Sequence, residues 1–532
     1  MDQIWDLERY YPTSPEATYS DQTTDFARYQ RLQQLLLDGQ ALSVGLSERP
    51  RDATLWLKRG IVLLELGILE LAMGDLYKCQ LLCDSRLYSN ETSTYTNIND
   101  PITQTQDNPE FDDQQEQVSA LKLMSSLMML EALQKTHCFQ DAIDLASQMV
   151  EVFPQTVEFQ IHRDTAKESL RRFLSLHGSL KGSSAMIPHL FGEILRKPYP
   201  WMSGEYLRRP KQFIPRMNGE IRSTSSQAEP TSALEASHWD DSSVEEVSMF
   251  AVRNIQKGEL IIKDVQMIAV CEGSSMSLCN YCFDRVSSRK KFIAKGSQAT
   301  YCSKQCLKAA ITMNTHTSRP SERLLSFCAK DMSHFFPPIQ LLPRLLASCI
   351  DSLANGDIHP LLHPVISRWK ADFRISNGVR FPFSFKTHIQ RPISILQELG
   401  VDIFRASQFD TWVIINILNR IGANMISRPA QLQSKPQVSQ MRKSNRPNPR
   451  QSKHPIIHSL GFIQPLFNHS CNPSVLIEPD HGGIVFRARR HISKGEELSV
   501  SYVDLDTLQH GSHALLQWFD KCLCTVCEER SR

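Results

Sequence analysis

Cysteines at chelate spacing are the clearest chemistry in this chain. One group is Cys279-Asn280-Tyr281-Cys282 followed by Cys302-Ser303-Lys304-Gln305-Cys306; another is Cys522-Leu523-Cys524-Thr525-Val526-Cys527. Each short spacing lets one turn offer two thiolates to one ion, and four thiolates close the tetrahedral shell of a structural zinc site. Cys279, Cys282, Cys302 and Cys306 supply such a set, whereas the tail cysteines are one ligand short. Upstream of the tail lie a polar loop, Asn468-His469-Ser470-Cys471-Asn472-Pro473, and a β-type run ending in a tyrosine, Glu497-Leu498-Ser499-Val500-Ser501-Tyr502.

The rest of the chain must position these residues. Its 532 residues are ample for several domains, and 41% hydrophobic residues is an ordinary globular value. Lys plus Arg number 59 against 57 Asp plus Glu, so global charge argues for neither nucleic acid nor a membrane surface. The N-terminal residues lack a basic segment followed by an apolar run, and no stretch has the roughly 18 uninterrupted apolar residues of a membrane span. The expectation is a soluble intracellular protein of the nucleus, the cytoplasm or both. Most of its 14 cysteines should then be thiols or metal ligands.

Residues 25–175 read as helices. Trp56, Gly60, Leu63, Ala72, Leu76 and Cys79 recur at the spacing of a tetratricopeptide repeat, with small residues where helices approach closely. Ala142, Leu145, Met149 and Pro154 continue the pattern. Such repeats form either a groove for a partner peptide or a plain helical hairpin packed on the chain. Residues 86–117 are polar and acidic, a loop insertion, and 181–245 are rich in Ser, Pro and Gly, a linker. Short β-type runs, Met249–Val252 and Glu259–Ile262, flank a turn at Gly258. Residues 320–425 return to helical spacing. The stretch 428–453 is basic, with Arg428, Lys435, Arg442, Lys443, Arg446, Arg450 and Lys453 and no acidic residue. A solvated loop is favoured there over nucleic-acid contact.

The loop Asn468–Pro473 and the run Glu497–Tyr502 resemble the two signature motifs of SET-domain protein lysine methyltransferases. The Cys522, Cys524, Cys527 tail resembles their post-SET zinc motif, and Cys279–Cys306 a reduced MYND zinc finger. The layout is similar to SET-and-MYND (SMYD-like) proteins with tetratricopeptide-like repeats ahead of the SET domain. The implied fold is α+β and multidomain. Helical repeats at 25–175 and a linker at 181–245 precede a mostly β SET fold in two parts, 246–275 and 456–505. A zinc finger at 279–316, a helical insertion at 320–425 and a basic disordered loop at 428–453 split it, and a post-SET motif at 515–530 follows. The resemblance implies S-adenosylmethionine as cofactor, held by Asn468, His469 and Asn424, with Tyr502 as the catalytic residue. It implies two zinc ions, one on Cys279, Cys282, Cys302 and Cys306, the other on Cys471, Cys522, Cys524 and Cys527. The substrate would be a lysine of a histone or another protein.

The chain departs from the family where the SET domain opens. Glu246 and Ser248 stand where the family has Gly-x-Gly, a pattern that lets the backbone come close to the cofactor. Ser474 stands where its motif often ends in Asn. These departures keep a second reading open: a catalytically inactive adaptor that binds partner proteins through its repeats and zinc finger.

Overall fold

Two compact units emerge from a computed structural model describing residues 22–92, 109–176, 192–195, 199–202, 206, 219–224, 246–265, 268–272, 278–282, 286, 291–293, 300–312, 341–356, 358–369, 380–429, 456–480, 483–502, 524 and 527.

The first unit begins with helices α1 (Gln22–Glu48), α2 (Ala53–Glu65), α3 (Leu69–Thr92), α4 (Pro109–Lys135), α5 (Phe139–Val152) and α6 (Val157–Leu176). Asp52 starts α2 by accepting from the amides of Thr54 and Leu55 at 3.0 and 3.3 Å, which satisfies two donors the first turn leaves unpaired. At Gly60 a Cβ would come within 3.0 Å of Leu76 Cγ, so α2 and α3 meet where the sequence placed a small residue. The α2–α3 and α4–α5 connections share one geometry. Ile68 N–H donates to the Leu63 carbonyl and Gly67 N–H to Leu64; Cys138 N–H donates to Leu133 and His137 N–H to Gln134. Gly67 and His137 both have positive φ, 74° and 59°, the left-handed cap that ends a helix by satisfying its last carbonyls.

Three expectations about boundaries change. Helices α3 and α4 run into the stretch 86–117 expected as a loop, and 93–108 lies outside the described residues. Polar side chains do not by themselves oppose a helix, so composition misled there. The stretch 181–245 contains strands Gly192–Leu195 and Gly219–Thr224, paired antiparallel with Arg380–Phe383 and Glu246–Ala251 respectively. A distant partner makes each strand where local propensity argues against one. The segment 320–425 is divided: among the described residues, 380–415 cluster with the N-terminal helices, whereas 341–356, 358–369 and 416–425 belong to the second unit.

In the first unit a buried network joins these segments. Arg59 grips Asp75 with two bonds, at 2.6 and 2.8 Å, and donates to Asp410 at 2.9 Å; Lys78 donates to Asp410 at 2.7 Å. Trp56 lies under both cations.

The second unit holds three-stranded sheets. In one, Ile456–Leu460 lies between Ile268–Glu272 and Ile426–Pro429; in another, Gly483–Ala488 lies between Val475–Asp480 and Leu260–Val265. The strand Glu246–Ala251 and the strand Leu260–Val265 flank the Gly258 turn, where φ is 82°, but their partners are elsewhere. Glu246–Ala251 pairs with Gly219–Thr224, and its far end meets the chain at 496–498 through Ala251 N–H to Glu496 O and Leu498 N–H to Met249 O. Met249, Ala251, Phe467, Phe486, Leu498 and Val500 form one buried core, with Phe467 and Phe486 stacked at 4.4 Å. No helix among the described residues is long and apolar enough to cross a membrane.

Candidate cofactor and zinc sites

The polar loop at Asn468 and the strand leading to Tyr502 lie side by side. Asn468–His469 pairs in parallel with Ser499–Val500, and Ser470 N–H donates to the Val500 carbonyl at 2.9 Å. Behind this pairing the core supplies the floor, so the polar side chains are left at the surface of the apolar cluster.

Asn468 donates through Nδ2 to Ser248 Oγ at 2.5 Å and to Glu497 Oε1 at 2.9 Å. His469 accepts at Nδ1 from the Tyr502 amide at 3.1 Å, and its Nε2 lies 3.4 Å from Cys471 Sγ. An accepting Nδ1 places the ring proton on Nε2. Burial pushes the His469 imidazole down to about 4, so it is neutral near pH 7. The Tyr502 hydroxyl donates to the Phe467 carbonyl at 2.8 Å, and its ring lies 5.4 Å from that of His469. Asn468, His469 and Tyr502 are all partly exposed and so reachable by a ligand.

Asn424 has a different setting. It is buried at the end of helix Thr411–Asn424, and its Nδ2 donates to the Arg420 carbonyl one turn back at 2.7 Å. Ser474, where the family motif often has Asn, receives the Ser499 amide at 2.9 Å and donates to the Glu497 carbonyl at 3.2 Å. A short hydroxyl thus does the joining there.

Sequence reasoning missed Asp264. This carboxylate is buried at the end of its strand and accepts from the amides of Phe462, Ile463 and Gln464 at 3.1, 3.0 and 2.9 Å. It fixes the turn that leads into Phe467 and Asn468. Burial pushes its carboxyl up to about 6, against the three amides that pull it down. A lone Asp after an apolar run carries no signal that distant amides will converge on it.

The cysteines gather as their spacing requires. The Sγ atoms of Cys279, Cys282, Cys302 and Cys306 lie within 4.8 Å of one another, as do those of Cys471, Cys524 and Cys527. Zinc–sulfur bonds of about 2.3 Å in a tetrahedron separate sulfurs by about 3.8 Å. The pairs Cys282–Cys302, Cys302–Cys306 and Cys471–Cys527, each at 3.5 Å, are near that figure. All-thiol donor sets of this size fit zinc and exclude hard cations. The first group is built by the hairpin Phe292–Ile293 with Thr300–Tyr301, by Asn280 N–H bonded to Thr300 O at 2.9 Å, and by Ser303 Oγ accepting from Cys306 N–H at 3.0 Å. Hydrogen bonding from Cys282 and nearby amides draws the Cys279 thiol down to about 5, toward the thiolate a metal takes. Cys522 lies outside the described residues.

Residues 246–503 match the SET domain. The chain is similar to histone-lysine N-methyltransferase SMYD3 of Mus musculus, 25% identical over 297 residues, covering 53% of this chain and 59% of that protein. The human SMYD3 match is also 25% identical, over 298 residues. The potential protein lysine methyltransferase SET6 of Saccharomyces cerevisiae is 32% identical over 65 residues, 12% of this chain and 17% of that protein. This chain thus spans less than two thirds of the length of these relatives. The SET-domain match takes in the Asn468–Cys471 loop, Tyr502, Asp264 and the first cysteine group, and it stops before Cys524.

Proposed function

We propose that the chain is an S-adenosylmethionine-dependent protein lysine N-methyltransferase acting on a histone or another protein. The observation that carries this reading is the parallel pairing of Asn468–His469 with Ser499–Val500, which brings His469 to the Tyr502 amide at 3.1 Å, in the stretch matching the SET domain. The similarity to two proteins named as histone-lysine methyltransferases supports it.

Bound S-adenosylmethionine supplies a methyl group already activated on a sulfonium. The protein's task is therefore positioning more than acid–base work. Asn468 and His469 would hold the cofactor, and both are polar, partly exposed and fixed by their neighbours. Tyr502, held by its own amide and hydroxyl, would orient the incoming amine. The amine must be neutral to attack, and taking a lysine out of water lowers its pKa in that direction. Asn424 is retained as a cofactor contact through its place in the family pattern alone.

Zinc on Cys279, Cys282, Cys302 and Cys306 would fold the finger. Zinc on Cys471, Cys522, Cys524 and Cys527 would pin the tail beside the cofactor loop. Four thiolates at each site would leave no open position for chemistry, so both roles would be structural. The helical hairpins α2–α3 and α4–α5, with their matching turns, suit tetratricopeptide-like repeats that bind a partner protein.

A second reading, the inactive adaptor, is kept by one observation: a completely buried serine, Ser248, stands where the family has glycine. Calorimetry with S-adenosylmethionine separates the two. Binding, followed by transfer of labelled methyl to lysine in a proteome extract, is expected; no binding at millimolar cofactor leaves only the adaptor.

A further inference from the structure

We propose that Ser248 is a positioning residue that orients the Asn468 carboxamide for the cofactor through a side-chain hydrogen bond. The proposal rests on the methyltransferase reading.

The Asn468 nitrogen has two protons, and both have acceptors. One goes to Ser248 Oγ at 2.5 Å, the other to Glu497 Oε1 at 2.9 Å. A carboxylate near neutral pH only accepts, so the nitrogen and not the oxygen of the amide must face Glu497. That removes the usual ambiguity between the two ends of an asparagine side chain. The carboxamide is clamped from two sides, by a buried neutral hydroxyl and by a carboxylate.

Each arm of the clamp comes from a separate segment. Ser248 lies on the strand Glu246–Ala251, opposite Arg222 in the register with Gly219–Thr224. Glu497 is bridged to Phe250 on that same strand, and the next residue, Leu498, donates to Met249 at 2.7 Å. Asn468 arrives from the loop beside Ser499. Ser248 is completely buried, so its hydroxyl has no water to compete for the bond, and a glycine at that place offers no acceptor. An asparagine free to rotate must lose that freedom on binding a ligand; one already held does not.

The test uses the full chain and cofactor affinity, not turnover. Ser248→Ala and Ser248→Gly are each measured by calorimetry with S-adenosylmethionine, beside their zinc content and melting temperature. Loss of one buried hydrogen bond is expected to weaken cofactor binding roughly three- to tenfold in both variants, with zinc content unchanged. A serine that merely fills the glycine's place predicts the opposite sign: Ser248→Gly would bind more tightly, and that result overturns the proposal. So does a fall in melting temperature with cofactor affinity unmoved, the mark of a purely structural serine. A wild-type chain that binds no cofactor overturns the methyltransferase reading and this inference together. Normal binding by the wild type with equal or better binding by both variants overturns this inference alone.

Discussion

Tyr502 and Phe467 are locked together in two ways. The tyrosine hydroxyl donates to the Phe467 carbonyl at 2.8 Å, and the phenylalanine ring stacks on Phe486 inside the core that the tyrosine packs against. The hydroxyl of the proposed catalytic residue is thus held by the backbone of the loop that presents Asn468, which ties its position to that of the proposed cofactor contacts.

Tyr502→Phe should therefore leave the fold intact while lowering kcat on the order of 10²-fold, the scale for removing one aligned polar group at a reacting centre. The KM for S-adenosylmethionine should change little. Single-turnover transfer to a substrate protein checks this, and a full-rate Tyr502→Phe enzyme would remove the tyrosine from the mechanism.

Asp264 should matter more than its distance in sequence suggests. Asp264→Ala would leave the buried amides of Ile463 and Gln464, and the partly buried amide of Phe462, without their acceptor, at about 1–3 kcal/mol for each buried group. Chemical denaturation should show a loss of several kcal/mol. Asp264→Asn keeps one accepting oxygen and should fall between the two.

Metal analysis should find two zinc ions per chain; a third would mean that the finger holds more than one. Cys471→Ser should lower the content by about one ion and weaken cofactor binding, because the tail loses its tie to the Asn468 loop. Cys279→Ser should lower the zinc content with little effect on cofactor affinity. Equal effects on the cofactor from both variants would argue against the C-terminal site as part of the pocket.

The buried pair of Arg59 and Asp75 should be costly to break from one side. Asp75→Ala leaves the Arg59 guanidinium short of a partner and should destabilise the first unit by about 3–5 kcal/mol. Arg59 is held above its usual range; burial works against this, and Asp75 and Asp410 outweigh burial. The paired variant Arg59→Met with Asp75→Leu should recover much of the loss. Thermal unfolding of the single and paired variants reads the difference.

Acid should destabilise the first unit partly through His388. Burial pushes this imidazole from 6.5 down to about 4. Between those values the unfolded chain binds a proton that the folded chain refuses, so this contribution is present above pH 6.5 and is lost as pH falls toward 4. The slope is about 1.4 kcal/mol per pH unit in that window. Denaturant midpoints at pH 7 and pH 5 should differ less in His388→Gln than in the wild type.

The thiol groups were legible in advance because their chemistry is local. Cysteines two to four residues apart can chelate wherever the turn lies, and the described ones do gather. Gly60 announced a close helix contact, and the structure places Leu76 against it. Ser248 was legible only as a departure. That its hydroxyl reaches Asn468 depends on the strand Glu246–Ala251 meeting the 496–498 segment, which no local pattern encodes.

By itself the sequence determined the helical character of the N-terminal region, the two thiol groups and the motif residues from Asn468 to Tyr502. These follow from periodicity and short-range spacing, which act within a few turns of chain. Only the tertiary structure decided that residues 380–415 join the N-terminal helices, that Asp410 completes the charges of Arg59 and Lys78, and that Asp264 closes on amides about two hundred residues away. An apolar helix face or a lone carboxylate states that it must be buried or paired, but not with what. That choice is made when distant segments exclude water together and each buried charge or amide takes the partner the packing brings to it.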